Sequence, residues 1–187
     1  MTPGQSTIPV RQLPTIYLVG FPASGKTTAG KRLKTLLNRP HYDLDREIEK
    51  TTLLTIPQIF EQHGEESFRK REAQQLRNTL YQNTILSTGG GTPLFHDNMN
   101  YMLSTGVVIY LSLPVEDLIS RLVKSATKRP LFDGLSGEKL RVKVREMYDL
   151  RNPVYSKAHI QYSAKNLRSR PLDVLKELIN EYLNQNF

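Results

Sequence analysis

The chain has 187 residues, sets 26 lysines and arginines against 18 acidic residues for a formal charge of +8, and contains no cysteine. That length suits one domain able to bury roughly 70% of the surface its unfolded form exposes, and the missing cysteines exclude disulfides, thiolate metal sites and a catalytic thiol. No apolar run is long enough to span a bilayer and residues 1–15 lack the apolar core of a secretory signal, so a soluble cytoplasmic protein is expected.

Residues 1–14 hold three prolines and a glycine and read as a flexible tail ahead of a single domain over 15–187. Residues 15–20 read as a buried strand and 26–38 as a helix with Ala29, Leu33, Leu36 and Leu37 on one face. A short strand over 41–44 leads into a helical region, where Thr55 caps a helix with Pro57 in its first turn, Ile56, Ile59 and Phe60 inward, and Gly64 at its end. Residues 65–82 resume helical spacing through Phe68, Leu76 and Leu80. A strand over 84–87, the run Gly89, Gly90, Gly91, a helix over 97–103 and a strand over 106–111 follow. A helix over 114–124 carries Val115, Leu118, Ile119 and Leu122, and residues 126–137 have proline, glycine and no apolar period, as lids do. A helix over 137–151, a strand over 160–162 and a last helix with Leu175, Leu178, Ile179 and Tyr182 on one face complete the chain. Strands alternating with helices predict a parallel α/β sheet covered on both faces.

The most specific motif is Gly20, Phe21, Pro22, Ala23, Ser24, Gly25, Lys26, Thr27, a glycine followed after four residues by glycine, lysine and threonine. The glycines let backbone N–H groups and the next helix N-terminus point at phosphates, the lysine neutralises the transferred group, and the threonine hydroxyl ligates magnesium. Its place between a strand and a helix is the context the motif requires, and ATP is the expected ligand. The motif does not name the phosphate acceptor.

Asp43 and Asp45, two apart at the end of the second strand, are expected to share a face and aim at the crevice above the sheet. One carboxylate there suits magnesium and the other the attacking hydroxyl, although an isolated Asp-Leu-Asp reads as well as a solvated turn with Asp45 as a helix cap. Arg69 and Arg151 offer bidentate matches to a carboxylate, and Glu72 is placed to hold Arg69; among 26 basic residues each arginine also reads as surface charge. Gly89 to Gly91 either let backbone approach a ligand or form a plain turn. Arg129 either swings over the phosphates or is a solvated loop residue. His41, His63, His96 and His159 have no ligand-like spacing and receive no role.

The order of these motifs, with Arg129, Pro130, Leu131 opening the lid segment and Arg151, Pro153, Tyr155 late in the chain, resembles the shikimate kinase family from about Thr15 onward. The resemblance implies a nucleoside-monophosphate-kinase-like five-stranded parallel sheet of order 2-3-1-4-5, a substrate-binding segment over about 45–75 and a lid over about 125–137. It implies ATP-dependent phosphorylation of the shikimate 3-hydroxyl, on the route to chorismate and the aromatic amino acids. Asp45, Lys26 and Arg129 would be catalytic, and Thr27 with Asp43 would position Mg2+. ATP would be bound by Gly20 to Thr27 with Thr28, Arg121 and Arg129, and the segment around Asn166 and Arg168 would lie near the adenine. Shikimate would be bound by Asp45, Arg69, Gly89, Gly90, Gly91 and Arg151. Family members commonly carry a third glycine where this chain has Ala23, and Ala23 is compatible with the loop if it keeps negative φ. A monomer without nucleic-acid or membrane partners is expected. The alternatives are a related kinase of another small molecule, such as gluconate, and a nucleotide-dependent protein that uses its +8 charge to bind a polyanion without catalysis.

Overall fold

The computed structural model describes residues 13–78, 81–124, 130–132, 134–165, 167 and 172–187. Five strands, β1 (Thr15–Val19), β2 (His41–Asp43), β3 (Ile85–Ser87), β4 (Gly106–Ser112) and β5 (Ile160–Ser163), form one parallel sheet of order β2-β3-β1-β4-β5. The central strand β1 is buried along its whole length and β4 along nearly all of it, which is why both read as unbroken apolar runs rather than alternations. The edge strands β2 and β5 are short and only partly covered.

Among the described residues, the helices that connect and cover the sheet are α1 (Lys26–Leu37), α2 (Leu44–Thr52), α3 (Ile56–Leu76), α4 (Asn98–Thr105), α5 (Val115–Val123), α6 (Gly137–Tyr155) and α7 (Asp173–Asn186). The Thr55 cap is present as a full capping box with Gln58. Gly64 breaks the helical dihedrals within α3, at φ 75 and ψ 168, where chain with a side chain would be strained.

Several elements differ from expectation. The helical region expected after the second strand opens with α2, which begins directly at the end of β2 rather than after residue 44, so Asp43 ends the strand while Asp45 lies in the first turn of α2. The alternation argument for their common face therefore does not apply. The α3 helix stops at Leu76, short of residue 82, where Arg77 turns its side chain back to the Ala73 carbonyl and across to Asn98; Leu80 lies outside the described residues. Helix α6 runs past Arg151 and through Pro153 to Tyr155, whose fully buried ring anchors that last turn. In α7 the buried face is Leu175, Ile179 and Leu183, while Leu178 is exposed. Within the expected lid segment, Pro130–Phe132 form a 3-10 turn, and the buried Phe132 ring packs 6.3 Å from Phe21, so that part joins the core.

Candidate active site

The carboxyl ends of β1, β2 and β3 lie side by side, at the edge where ligands bind in open parallel sheets. The loop from β1 to α1 borders it. Gly20 has φ 144 and leaves no room for a side chain, since a Cβ there would stand 2.8 Å from the Leu111 carbonyl oxygen. Gly25, at φ 102, is the N-cap of α1, with no side chain capping the helix and no acidic residue in its first turn. The amides of that turn and the positive end of the helix dipole are left to an anion. Lys26 Nζ donates to the carbonyls of Gly20 (2.8 Å) and Phe21 (3.1 Å), folded back over the loop. Phe21 is buried between Phe132 and Tyr148, and Thr28 follows Thr27 in the first turn of α1.

Ala23 departs from expectation. It takes φ 68, in the left-handed region that glycine occupies at no cost, because the loop must reverse there whatever residue stands in it. Its carbonyl and that of Ser24 accept hydrogen bonds from Arg121 Nη1 at 3.4 and 3.3 Å, and Arg121 Nη2 also donates to the Ala164 carbonyl at 3.0 Å. Arg121 thus ties the loop to the segment after β5. Arg129, Asn166 and Arg168 lie outside the described residues.

Thr27 Oγ1 donates to Asp43 Oδ2 at 2.8 Å. Among the described residues no cluster of three or more histidine, cysteine or acidic side chains is gathered as a metal cage. One hydroxyl and one carboxylate side by side fit magnesium, which keeps several waters and takes most other ligands from phosphates.

On the opposite wall, Arg69 is buried and donates through Nη1 to Glu72 Oε2 (2.9 Å) and through Nη2 and Nε to Glu65 Oε1 (3.0 and 3.2 Å). Its guanidinium lies 4.3 Å from the Phe95 ring centre and 5.0 Å from that of Phe68. Arg151 is also buried, with its guanidinium 5.8 Å from the Phe21 ring centre and Nη1 without a hydrogen-bond partner. A buried charged donor left unpaired is costly and is expected where a ligand completes it.

The triple glycine is the hub of this wall, and space rather than dihedral freedom requires it. A Cβ on Gly89 would stand 2.8 Å from Asp45 Oδ1 and 2.9 Å from Glu72 Oε1; on Gly90, 2.8 Å from the Pro22 ring; on Gly91, 2.7 Å from Arg69 Nη2. The Gly90 carbonyl in turn accepts the Tyr155 hydroxyl at 2.5 Å. The plain-turn reading is thereby replaced by a close approach of backbone to Asp45, the phosphate loop and Arg69.

Burial, seconded by the nearby Glu72 and Asp43 charges and opposed by Lys26, pushes the Asp45 carboxyl up to about 7. Glu72 is likewise raised by burial, against the pull of Arg69 and of the Thr92 hydroxyl. Two carboxyl groups raised by burial beside a buried arginine make this wall a candidate site for proton and anion handling. Sequence reasoning passed over Glu65, Phe95 and Thr92. Glu65 was visible as the residue four before Arg69 on one helix face; Phe95 and Thr92 reach the site only through the fold and left no local signal.

Residues 22–185 match the family described as shikimate kinase. A shikimate kinase of Parabacteroides distasonis is 40% identical over 153 residues, covering 81% of this chain and 88% of its own length. The crystal structure of a shikimate kinase from Bacteroides thetaiotaomicron aligns with a TM-score of 0.83 at 32% identity, over 91% of this chain and 98% of that one. A shikimate kinase of Acinetobacter baumannii solved in complex with shikimate aligns with a TM-score of 0.78 at 35% identity, over 94% of this chain and 96% of that one. With its phosphate loop, its sheet order and these relatives spanning most of its length, the chain belongs to the shikimate kinase family.

Proposed function

We infer that the chain transfers the ATP γ-phosphoryl group to the 3-hydroxyl of shikimate, releasing ADP and shikimate 3-phosphate for aromatic amino-acid biosynthesis. The observation that carries the reading is the facing of two half-sites across one cleft: the uncapped α1 N-terminus with Lys26 on one side, and Asp45, buried Arg69 and under-bonded Arg151 on the other.

Asp45 takes the proton of the 3-hydroxyl as that oxygen bonds to the γ-phosphorus and the bond from the γ-phosphorus to the β–γ bridging oxygen breaks. A carboxyl group near neutrality is matched to this task at physiological pH. Arg69, Arg151 and the backbone of Gly89, Gly90 and Gly91 orient the shikimate carboxylate and hydroxyls, because guanidinium groups match carboxylates in fixed geometry. Lys26 leaves its loop carbonyls for the transferring group and, with Arg129, offsets the charge developing there. Thr27 and Asp43 would hold magnesium, which would supply positive charge to offset that of the phosphates. Residues 20–28 and Arg121 form the ATP side. Within one domain over 15–187, the segment 45–75 carries the acceptor and 125–137 closes over the phosphates, in a cytoplasmic monomer.

Incubating the purified chain with ATP, magnesium and shikimate tests this reading directly. Phosphorus NMR should show a phosphomonoester coupled to the ring C3 proton. An unphosphorylated acceptor, or phosphate on another hydroxyl, would refute it.

A further inference from the structure

We propose that Thr92 is a positioning residue of the acceptor site, whose hydroxyl fixes Glu72 and, through Glu72, the Arg69 guanidinium that faces the substrate carboxylate. The proposal rests on the acceptor reading above and concerns a residue two beyond the glycine that accepts the Tyr155 hydroxyl.

Glu72 is fully buried and sits between two demands. Its Oε2 accepts from Arg69 Nη1 at 2.9 Å, while Oε1 accepts from Thr92 Oγ1 at 2.5 Å. Oε1 also shares the space over Gly89 with Asp45 Oδ1, both lying under 3 Å from where a Cβ on Gly89 would stand. Two carboxyl oxygens meeting in a buried space repel one another unless each has a donor. Thr92 is the donor on that Glu72 oxygen, and its hydroxyl favours the charged carboxylate against burial and fixes the Glu72 rotamer. Without the hydroxyl, Glu72 either takes up a proton or turns away from Asp45. The first outcome weakens a charge-assisted bond to Arg69, and the second takes Arg69 with it.

Thr92 is itself held from behind. Its carbonyl accepts from Asn98 Nδ2 at 2.9 Å, and Asn98 Oδ1 accepts from Arg77 Nη1 at 2.6 Å. Arg77 is braced by the Ala73 and His96 carbonyls, each at 2.9 Å, and lies 4.6 Å from the Tyr101 ring centre. Both Thr92 and Asn98 are fully buried. A continuous polar path therefore runs from the α3–α4 junction to Arg69, and Thr92 is its one hydroxyl link to Glu72 among the described residues.

The test compares Thr92→Val, which keeps the shape and removes the hydroxyl, with Thr92→Ser, which keeps the hydroxyl and removes the methyl. Thr92→Val should raise KM for shikimate on the order of tenfold, the scale of one lost hydrogen bond to a charged group, while KM for ATP stays within about twofold. Thr92→Ser should restore shikimate KM to near the parent value. Thr92→Ala follows Thr92→Val in direction and stands in for it should the valine variant not fold, as monitored by thermal unfolding. Unchanged shikimate KM in the valine and alanine variants overturns the proposal. So does a serine variant as impaired as the valine one, or a parallel rise in both KM values, since either points to packing rather than to the hydroxyl. A parent protein with no shikimate-dependent turnover would instead overturn the functional reading beneath it.

Discussion

A carboxyl group that titrates near neutrality is costly to keep ionised, and Asp45 shows where that cost is used. Its proton is held first by burial, then by the Glu72 and Asp43 charges, with Lys26 pulling the other way, to about 7. Because the folded value lies above the ordinary 3.8, the folded protein binds this proton more tightly than the unfolded chain does. Stability from this group is therefore full in acid, falls as pH rises from about 4 to about 7, and stays reduced above that. Asp45→Asn should accordingly unfold at a higher temperature than the parent at pH 8, with the gap closing by pH 4. In the parent, kcat/KM should fall about tenfold per pH unit below about 7 as the base is protonated. The asparagine variant should lose most turnover and keep ATP binding. A variant with parental turnover would remove Asp45 from the mechanism, and a gap that widens in acid would contradict the raised value.

Strain is also held at Ala23 and Leu53, two of the six described non-glycine residues with positive φ. Ala23 and Leu53 stand at φ 68 and 58, and Leu53 is also 89% exposed, so its side chain is not repaid by burial. A side chain in this region costs about 1–2 kcal/mol, offset in part by the larger unfolded-state entropy of glycine. Ala23→Gly and Leu53→Gly should each raise stability by about 0.5–1 kcal/mol, read as a Tm increase of ~1–4 °C. A fall in Tm at either position would show that its methyl or isobutyl group makes contacts worth more than the strain.

At the scale of elements, the turn after β3 determines what the acceptor wall can be. Arg69 comes from α3, Asp45 from α2 and Pro22 from the phosphate loop, and each passes so close to one of the three glycines that any side chain there collides with it. Gly91→Ala should push the Arg69 guanidinium from its place, raising KM for shikimate by about tenfold or more and leaving KM for ATP near the parent value. Equal effects on both substrates would place Arg69 outside the acceptor site. The elements that sequence made legible were those with a strong local period or motif: β1 and β4 as unbroken apolar runs, the phosphate loop, the Thr55 cap, and Arg69 with Glu72 three residues on. The start of α2 escaped because it follows β2 without a turn residue between them, and the α6 end escaped because Pro153 reads as a stop while Tyr155 is anchored in the core. Thr92, Phe95 and the positive φ of Ala23 depend on contacts between distant segments or on the path of the loop, for which the local sequence carries no period. The glycines were visible as glycines, but the three neighbours that require them were not.

For the whole molecule, the sheet order places the carboxyl ends of β1, β2 and β3 side by side, which brings the proposed nucleotide and acceptor half-sites together. The formal charge of +8 is spread along the chain; on the proposed reading, Lys26, Arg69 and Arg151 are the part of it that meets the two anionic substrates. Among the described residues no helix is long and apolar enough to cross a membrane. If Asp45 and the arginines position the acceptor oxygen in line, as proposed, ATP should be hydrolysed poorly while the acceptor wall is empty. The central claim is thus that turnover belongs to both half-sites together. It is tested most directly by measuring ADP release from ATP and magnesium with and without shikimate. The expected result is rapid release with shikimate and at most a few percent of that rate without it; equal release in both conditions, or none in either, would contradict the account.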